Sequence, residues 1–235
     1  CGCHVYAGHF GQMNNNPYRY EIKMVADALY LGEVRSWVFT HPNAFQIAYP
    51  PRQVNNIYFD TRDRDLMKDH INGAANREKF RFRWYGESWL ANGGQIEIKK
   101  KRGFLGYKTT QKIMGPIDIA RLNWGEIAAV LKQECTHEFI FLVENLIPVL
   151  INHYQREYYI SMDGRIRVTL DYQMRAFEQA FGLRPNLNFP QLQLDNVIIE
   201  MKAAEADHAR IANSLAQFPL RCTQNSKYLN GLGAF

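Results

Sequence analysis

Residues 79–86 read KFRFRWYG, in which Lys79, Arg81 and Arg83 alternate with Phe80, Phe82 and Trp84. Successive side chains of a β-strand point to opposite faces, so this stretch predicts a strand with one apolar face and one face of cations alone. The same division recurs along the chain. In YEIKMV, Tyr20, Ile22 and Met24 alternate with Glu21, Lys23 and Val25, and in QIEIKKK, Ile96 and Ile98 alternate with Glu97, Lys99 and Lys101. RIRVTLDY sets Ile166, Val168 and Leu170 against Arg165, Arg167, Thr169 and Asp171, and VIIEMK sets Ile199 and Met201 against Glu200 and Lys202. NHYQREYYI, around Arg156, is aromatic and β-prone with a less regular alternation. A solvated sheet face usually mixes small polar residues with both signs of charge, whereas these faces are expected to hold many cations and few carboxylates. Like charges on neighbouring strands repel. A sheet curled into a closed barrel around a polyanion would relieve that repulsion.

A chain of 235 residues, 46% hydrophobic and 22% charged, can bury one sizeable core, and no segment is repeated or low in complexity. The net charge of +5 favours an anionic partner without separating nucleic acid, acidic lipid and small phosphates. No apolar run approaches the roughly 18 residues that span a bilayer, and the first residues lack the apolar core of a signal peptide, so the chain reads as soluble. Cysteines 1, 3, 135 and 222 make neither a disulfide framework nor a metal-ligand set. Residues 1–12, with Cys1, Cys3, His4 and His9, are expected to be a disordered leader or remnant, the alternatives being a lipid-bearing cysteine or a metal site. Residues 13–235 then form a single domain, and Cys135 and Cys222 are reduced thiols of an intracellular protein.

Helical stretches are expected at about 25–39, 123–146 and 207–218, the last with Asp207 as N-cap, and a short helix at 63–73 ending near Gly73. Helices covering the apolar outer side of a barrel give an α+β architecture.

The ordered series YRYEIKMV, NNIYFDT, REKFRFRWYG, IEIKKKRG, HYQREYY, RIRVTLDY, VIIEMK and NSKYLNGL, spanning about residues 18–232, resembles the VTC domain. That domain is the catalytic module of vacuolar transporter chaperone polyphosphate polymerases, within the triphosphate tunnel metalloenzymes that also include the CYTH phosphohydrolases. The resemblance implies a closed tunnel of eight antiparallel strands with flanking helices. It further implies that Lys23, Arg81, Arg83, Lys99, Arg156, Arg167, Lys202 and Lys227 line the tunnel and act on phosphate. Tyr154, Lys101, Lys108 and Arg19 would contact substrate. Glu200 would hold Mg²⁺ or Mn²⁺, with Glu97 and Glu21 as secondary ligands, while Tyr58 and Asp60 are scaffold.

Phosphoryl transfer leaves a protein little covalent work beyond alignment and charge neutralisation. Arg supplies planar bidentate contacts to phosphate and Lys supplies point charges. A hard cation held partly by substrate oxygens needs no full protein cage. The implied reaction is transfer of the γ-phosphate of ATP to a growing polyphosphate chain with release of ADP. The nearest alternative is hydrolysis of an inorganic or nucleoside triphosphate in the same tunnel. CYTH hydrolases open with Glu-x-Glu-x-Lys, but this chain has Arg19-x-Glu21-x-Lys23, which favours transfer.

GFLGYKTTQK at 103–112 lacks the Walker order and reads as a turn with Lys108 and Lys112 near a tunnel mouth. Histidines 41, 70, 137, 153 and 208 show no metal-ligand spacing. Two non-enzyme readings stay open. A nucleic-acid-binding sheet needs aromatic and basic groups on one face, and here Phe80, Phe82 and Trp84 oppose Arg81 and Arg83. A silent accessory domain that only binds polyphosphate need not keep Glu200. Expected partners are therefore ATP and polyphosphate rather than nucleic acid. The expected setting is cytoplasmic, with a separate membrane protein as a candidate recipient of the product.

Overall fold

A computed structural model describes residues 19–102, 105–179, 182–222 and 226–233; the expected leader, residues 1–12, lies outside them. The alternating stretches form strands throughout: β1 (Arg19–Asp27), β2 (Gln46–Asp60), β3 (Asn76–Tyr85), β4 (Leu90–Arg102), β5 (Leu105–Asp118), β6 (Ile147–Ile160), β7 (Ile166–Glu178), β8 (Leu192–Leu194) and β9 (Asn196–Ala204). Eight of them make one antiparallel sheet in the order β1-β9-β7-β6-β2-β3-β4-β5, and the three-residue β8 adds to β7. The expected eight-stranded antiparallel α+β architecture is therefore present.

Hydrogen-bonded closure of the barrel is not seen among the described residues. Among the described residues β1 pairs only with β9 and β5 only with β4. The sheet nevertheless curls far enough for Lys99 of β4 to reach Glu21 of β1, with Nζ 3.1 Å from Oε2. A side-chain ion pair thus spans the interior where a ladder would be needed for full closure.

Period-two alternation sends one face of each strand outward to the helices. Phe80, Phe82, Trp84, Ile96, Ile98, Ile113 and Ile117 pack beneath α3 (Trp124–Glu134) and α4 (His137–Asn145). Met24, Ile166, Val168, Leu170, Ile199 and Met201 pack beneath α1 (Leu31–Thr40) and α5 (His208–Ala216). Burial of each such large side chain stabilises by about 1.5–3 kcal/mol, and withdrawing both groups from water leaves the ionic faces pointing inward.

The helices differ from expectation at three places. Val25 and Ala26 continue β1, and helical structure begins only after Asp27, whose Oδ1 accepts the Leu29 amide at 2.8 Å. The expected single helix over 123–146 breaks at Cys135, whose backbone is extended, and the Gln111 side chain accepts from both the amide and hydroxyl of Thr136. Asp207 stands at the expected N-cap position of α5, but its side chain makes no capping hydrogen bond; its carboxylate receives Arg165 at 3.2 Å. The short helix α2 (Asp65–Ile71) ends before Gly73, whose φ of +66° favours glycine.

A C-terminal helix, α6 (Lys227–Gly231), was not anticipated and matters for the interior. It lies so close to β6 that a Cβ on Gly231 would sit 2.7 Å from Leu150 Cδ2. The buried Asp60 ties the assembly together, accepting the amides of Thr61, Leu66 and Met67 at 2.7, 2.9 and 3.0 Å and the Tyr228 hydroxyl. Asp60 therefore anchors α2 and α6 to the end of β2.

Candidate functional site

Register brings cations face to face on the inner surface. Lys79 stands opposite Lys99, which stands opposite Lys108, across three consecutive strands. Arg77 faces Lys101, and Arg167 faces Lys202. Such pairs are unfavourable by themselves. The interior is not almost purely cationic, however, because four carboxylates are set among these groups and organise them.

The first carboxylate is Glu97 of β4. It accepts Arg81 Nε at 2.6 Å, Lys108 Nζ at 2.7 Å and Gln95 Nε2 at 2.5 Å, with Arg83 Nη1 at 3.6 Å. Burial opposes its ionisation, but Arg81, Arg83 and Lys108 outweigh that and hold it well below the usual carboxylate range. Arg83 Nε also donates to Asn56 Oδ1 at 2.8 Å, Asn56 donates to Asn152 at 2.8 Å, and Arg81 donates to the Tyr58 hydroxyl at 3.2 Å. Glu97, expected as a secondary metal ligand, is the shared counter-ion of three cations. Tyr58, expected as scaffold, touches one of them. Lys108, expected at a turn, lies within β5; residues 103–104 of that turn fall outside the described residues.

The second carboxylate, Asp171 of β7, had no assigned role. Arg156 grips it with Nε at 2.5 Å and Nη2 at 2.6 Å, and Lys227 Nζ approaches to 2.6 Å. The signal was present, since Asp171 belongs to the ionic face of RIRVTLDY and stands opposite Arg156 in register. At Lys227 burial lowers the amine, but Asp171 and Tyr154 reverse the shift and raise it. The Tyr154 ring lies 5.3 Å from the Arg156 guanidinium and 5.0 Å from the Lys227 ammonium, so it serves as a floor beneath both.

Glu200 and Glu21 complete the set. Glu200 pairs with Lys202 at 3.1 Å and lies 3.8 Å from Arg156; Glu21 pairs with Lys23 at 3.3 Å, Lys99 at 3.1 Å and Lys202 at 4.0 Å. Burial opposes ionisation of Glu200, but Lys202, a hydrogen bond shared with Glu21, Lys23 and Arg156 hold its carboxyl well below the ordinary value. No group of three or more Asp, Glu, His or Cys suited to a metal occurs among the described residues. Two adjacent oxygen donors, one held ionised, do suit a hard divalent cation that takes its remaining ligands from phosphate and water.

The other expected residues divide. Lys23, Lys79, Lys99 and Lys101 share the inner surface, Lys79 donating to Ser226 Oγ at 2.8 Å. Arg167 is exposed and has no hydrogen bond or ion pair among the described residues, while for Arg19 only the backbone is described.

Burial lowers the Lys79 amine, and Lys23, Lys99 and Arg81 lower it further, to about 7. The folded state therefore binds fewer protons here than the unfolded chain, whose lysines titrate near 10.4, so the penalty is full below about pH 7 and is relieved as pH rises from there. A polyanion reverses the shift. Tripolyphosphate is expected to raise the melting temperature by several degrees and, at about pH 8, to draw net protons into the complex. Calorimetry in buffers of different ionisation enthalpy checks this; zero proton uptake with a flat melting curve would count against anion binding at Lys79.

Comparison with known proteins now bears on this interior. Residues 18–235 match the VTC domain. The chain belongs to the VTC domain family. No curated protein matches it by sequence. Among solved structures, a candidate adenylate cyclase of Vibrio parahaemolyticus shares 13% identity with a TM-score of 0.53, covering 92% of this chain and 98% of that one. A candidate adenylate cyclase of Bacillus halodurans shares 15% identity with a TM-score of 0.55, covering 91% and 96%. At such identity the likeness is one of fold. That likeness agrees with the antiparallel α+β sheet of this VTC domain.

Proposed function

We propose that this VTC domain is a polyphosphate polymerase. It would transfer the γ-phosphate of ATP to the end of an inorganic polyphosphate chain and release ADP. The observation that carries the reading is the in-register ladder Lys79, Lys99, Lys108 with its neighbours Arg77 and Lys101. A row of opposed cations on a concave surface suits a linear polyanion better than a compact one, because each phosphate unit can screen a separate repulsive pair.

The chemistry follows from positions. A terminal oxygen of the chain attacks the γ-phosphorus, a new P–O bond forms, the bond to the bridging β–γ oxygen breaks, and that oxygen leaves with ADP. Arg81, Arg83 and Arg156 would align the two phosphate groups through bidentate contacts, while Lys23, Lys99, Lys202 and Lys227 offset the charge that spreads over the transferring group. Glu200, with Glu21 beside it, would hold Mg²⁺ or Mn²⁺, which supplies charge neutralisation at the phosphoryl oxygens. Arg19 in place of a first carboxylate supports transfer over hydrolysis, since an arginine there favours phosphate rather than activation of water. A cytoplasmic setting and a separate membrane protein that receives the product belong to the same proposal; no helix among the described residues is long and apolar enough to cross a membrane.

Incubation with γ-labelled ATP and Mn²⁺ or Mg²⁺, followed by sizing of the products on a gel, tests the reading. A ladder of chains alongside ADP is expected. Orthophosphate alone would make the domain a tunnel triphosphatase, and absence of turnover with both metals would make it a polyphosphate-binding module.

A further inference from the structure

The inner face changes character along β3. Tyr85, Arg83, Arg81, Lys79 and Arg77 alternate onto it in that order, placing Tyr85 about 7 Å from Arg83 and about 26 Å from Arg77 at ~3.3 Å per residue. The Arg77 end, opposite Lys101, is cationic. The Tyr85 end is aromatic. There Arg52 of β2 lies with its guanidinium carbon 4.0 Å from the Tyr85 ring centre and 5.0 Å from that of Tyr158, and its Nε donates to the Tyr158 hydroxyl at 3.1 Å. Tyr49 meets Tyr158 edge-on at 5.8 Å.

Three features distinguish this rim from ordinary packing. Tyr85 and Tyr49 are 41% and 61% exposed, whereas Tyr154 on the same inner surface is 1% exposed, so the rim rings are open to solvent. Arg52 has no carboxylate partner among the described residues, although it stands opposite Arg156 in register. Between Tyr49 and Arg52 the β2–β6 register slips at Pro50–Pro51, a local bulge that re-aims side chains at the mouth of the sheet.

We propose that Arg52, Tyr85 and Tyr158 form a nucleobase platform at this rim, so that the base of a nucleoside triphosphate stacks there while its phosphates run inward past Arg83 and Arg156. The inference rests on the reading of the interior as a nucleoside triphosphate site and adds a direction to it. A phosphate chain has no use for exposed rings, whereas a base stacks on them whatever its identity. Donor nucleotide then enters at the Tyr85 end, and the phosphate chain extends toward Arg77 and Lys101.

Calorimetric titration of ATP, ADP and tripolyphosphate into wild-type protein, Tyr85→Leu and Tyr85→Phe tests the platform, with melting curves to confirm that each variant is folded. Tyr85→Leu should weaken ATP and ADP roughly tenfold and leave tripolyphosphate unchanged, and Tyr85→Phe should restore nucleotide affinity. Equal loss for tripolyphosphate, or no loss for any ligand, overturns the platform. If wild-type protein binds tripolyphosphate but not nucleotides more tightly than Tyr85→Leu does, the platform fails while the tunnel stands; if wild type binds none of the three, the tunnel reading itself fails and the platform with it.

Discussion

Glu97→Gln is expected to destabilise the ligand-free protein by about 3–5 kcal/mol, the range for breaking a buried charge network from one side. Glutamine keeps the shape and some hydrogen bonds but removes the negative charge that Arg81, Arg83 and Lys108 share. Glu97 is 1% exposed, so water cannot take its place. Urea unfolding at neutral pH gives the magnitude, and repeating it with tripolyphosphate gives the cause. A bound polyanion should narrow the gap, because it offers the three cations a second counter-charge. The pH dependence has a definite sign. Glu97 is more acidic in the folded state than in the unfolded chain, so its stabilisation is present above the ordinary carboxylate range near pH 4.3 and fades as pH falls through its depressed folded value. Glu97→Gln should lack that contribution at neutral pH and show no matching loss as pH falls, so the two proteins converge on the acid side. A loss within about 0.5 kcal/mol, typical of a surface site, would mean that these charges are not coupled.

Glu200→Gln should have the largest effect on turnover, lowering metal-dependent phosphate transfer by about 10²–10³-fold, the scale seen when one charge-stabilising group is removed. Tripolyphosphate binding without metal should persist or tighten, because removing the Glu200 charge releases Lys202 from its nearest carboxylate. Direct titration of Mn²⁺ separates the metal role from a general one: affinity should drop in Glu200→Gln while the melting temperature in tripolyphosphate stays near that of wild type. A variant with full activity and unaltered Mn²⁺ affinity would remove the metal from this position.

The strands were legible because their two faces differ in kind. Phe80, Phe82 and Trp84 could not share water with Arg81 and Arg83, so both periodicity and inward direction of the charges follow from the order of residues. The helix boundaries were less legible. The stretch 123–146 is mostly helix-forming, and the break at Cys135 is held from β5, where Gln111 accepts from Thr136 and the Met114 and Gly115 amides donate to Glu134. Asp207 has the chemistry of an N-cap, yet Arg165 across the fold claims it. A local motif yields when a stronger charged partner arrives from elsewhere in the chain.

The site divides in the same way. The inner-face position of cations such as Arg81, Arg83, Lys99, Arg156 and Lys202 could be read from the alternation, since each stands opposite an apolar face. The roles of the carboxylates could not. Glu97, Glu200 and Asp171 look alike in sequence, each alternating with apolar neighbours, and their differences depend on which cations the sheet register places opposite. Register gave Glu97 three cations and left Glu200 beside Glu21; α6, held by the close approach at Gly231, brought Lys227 to Asp171. The amino-acid sequence alone determined that this chain would bury aromatic faces outward against helices and turn a cationic surface inward. Only the tertiary structure decided which carboxylate is saturated, which remains suited to a metal, and which end of the inner face is aromatic, because a charge takes its function from the charges within a few ångströms of it.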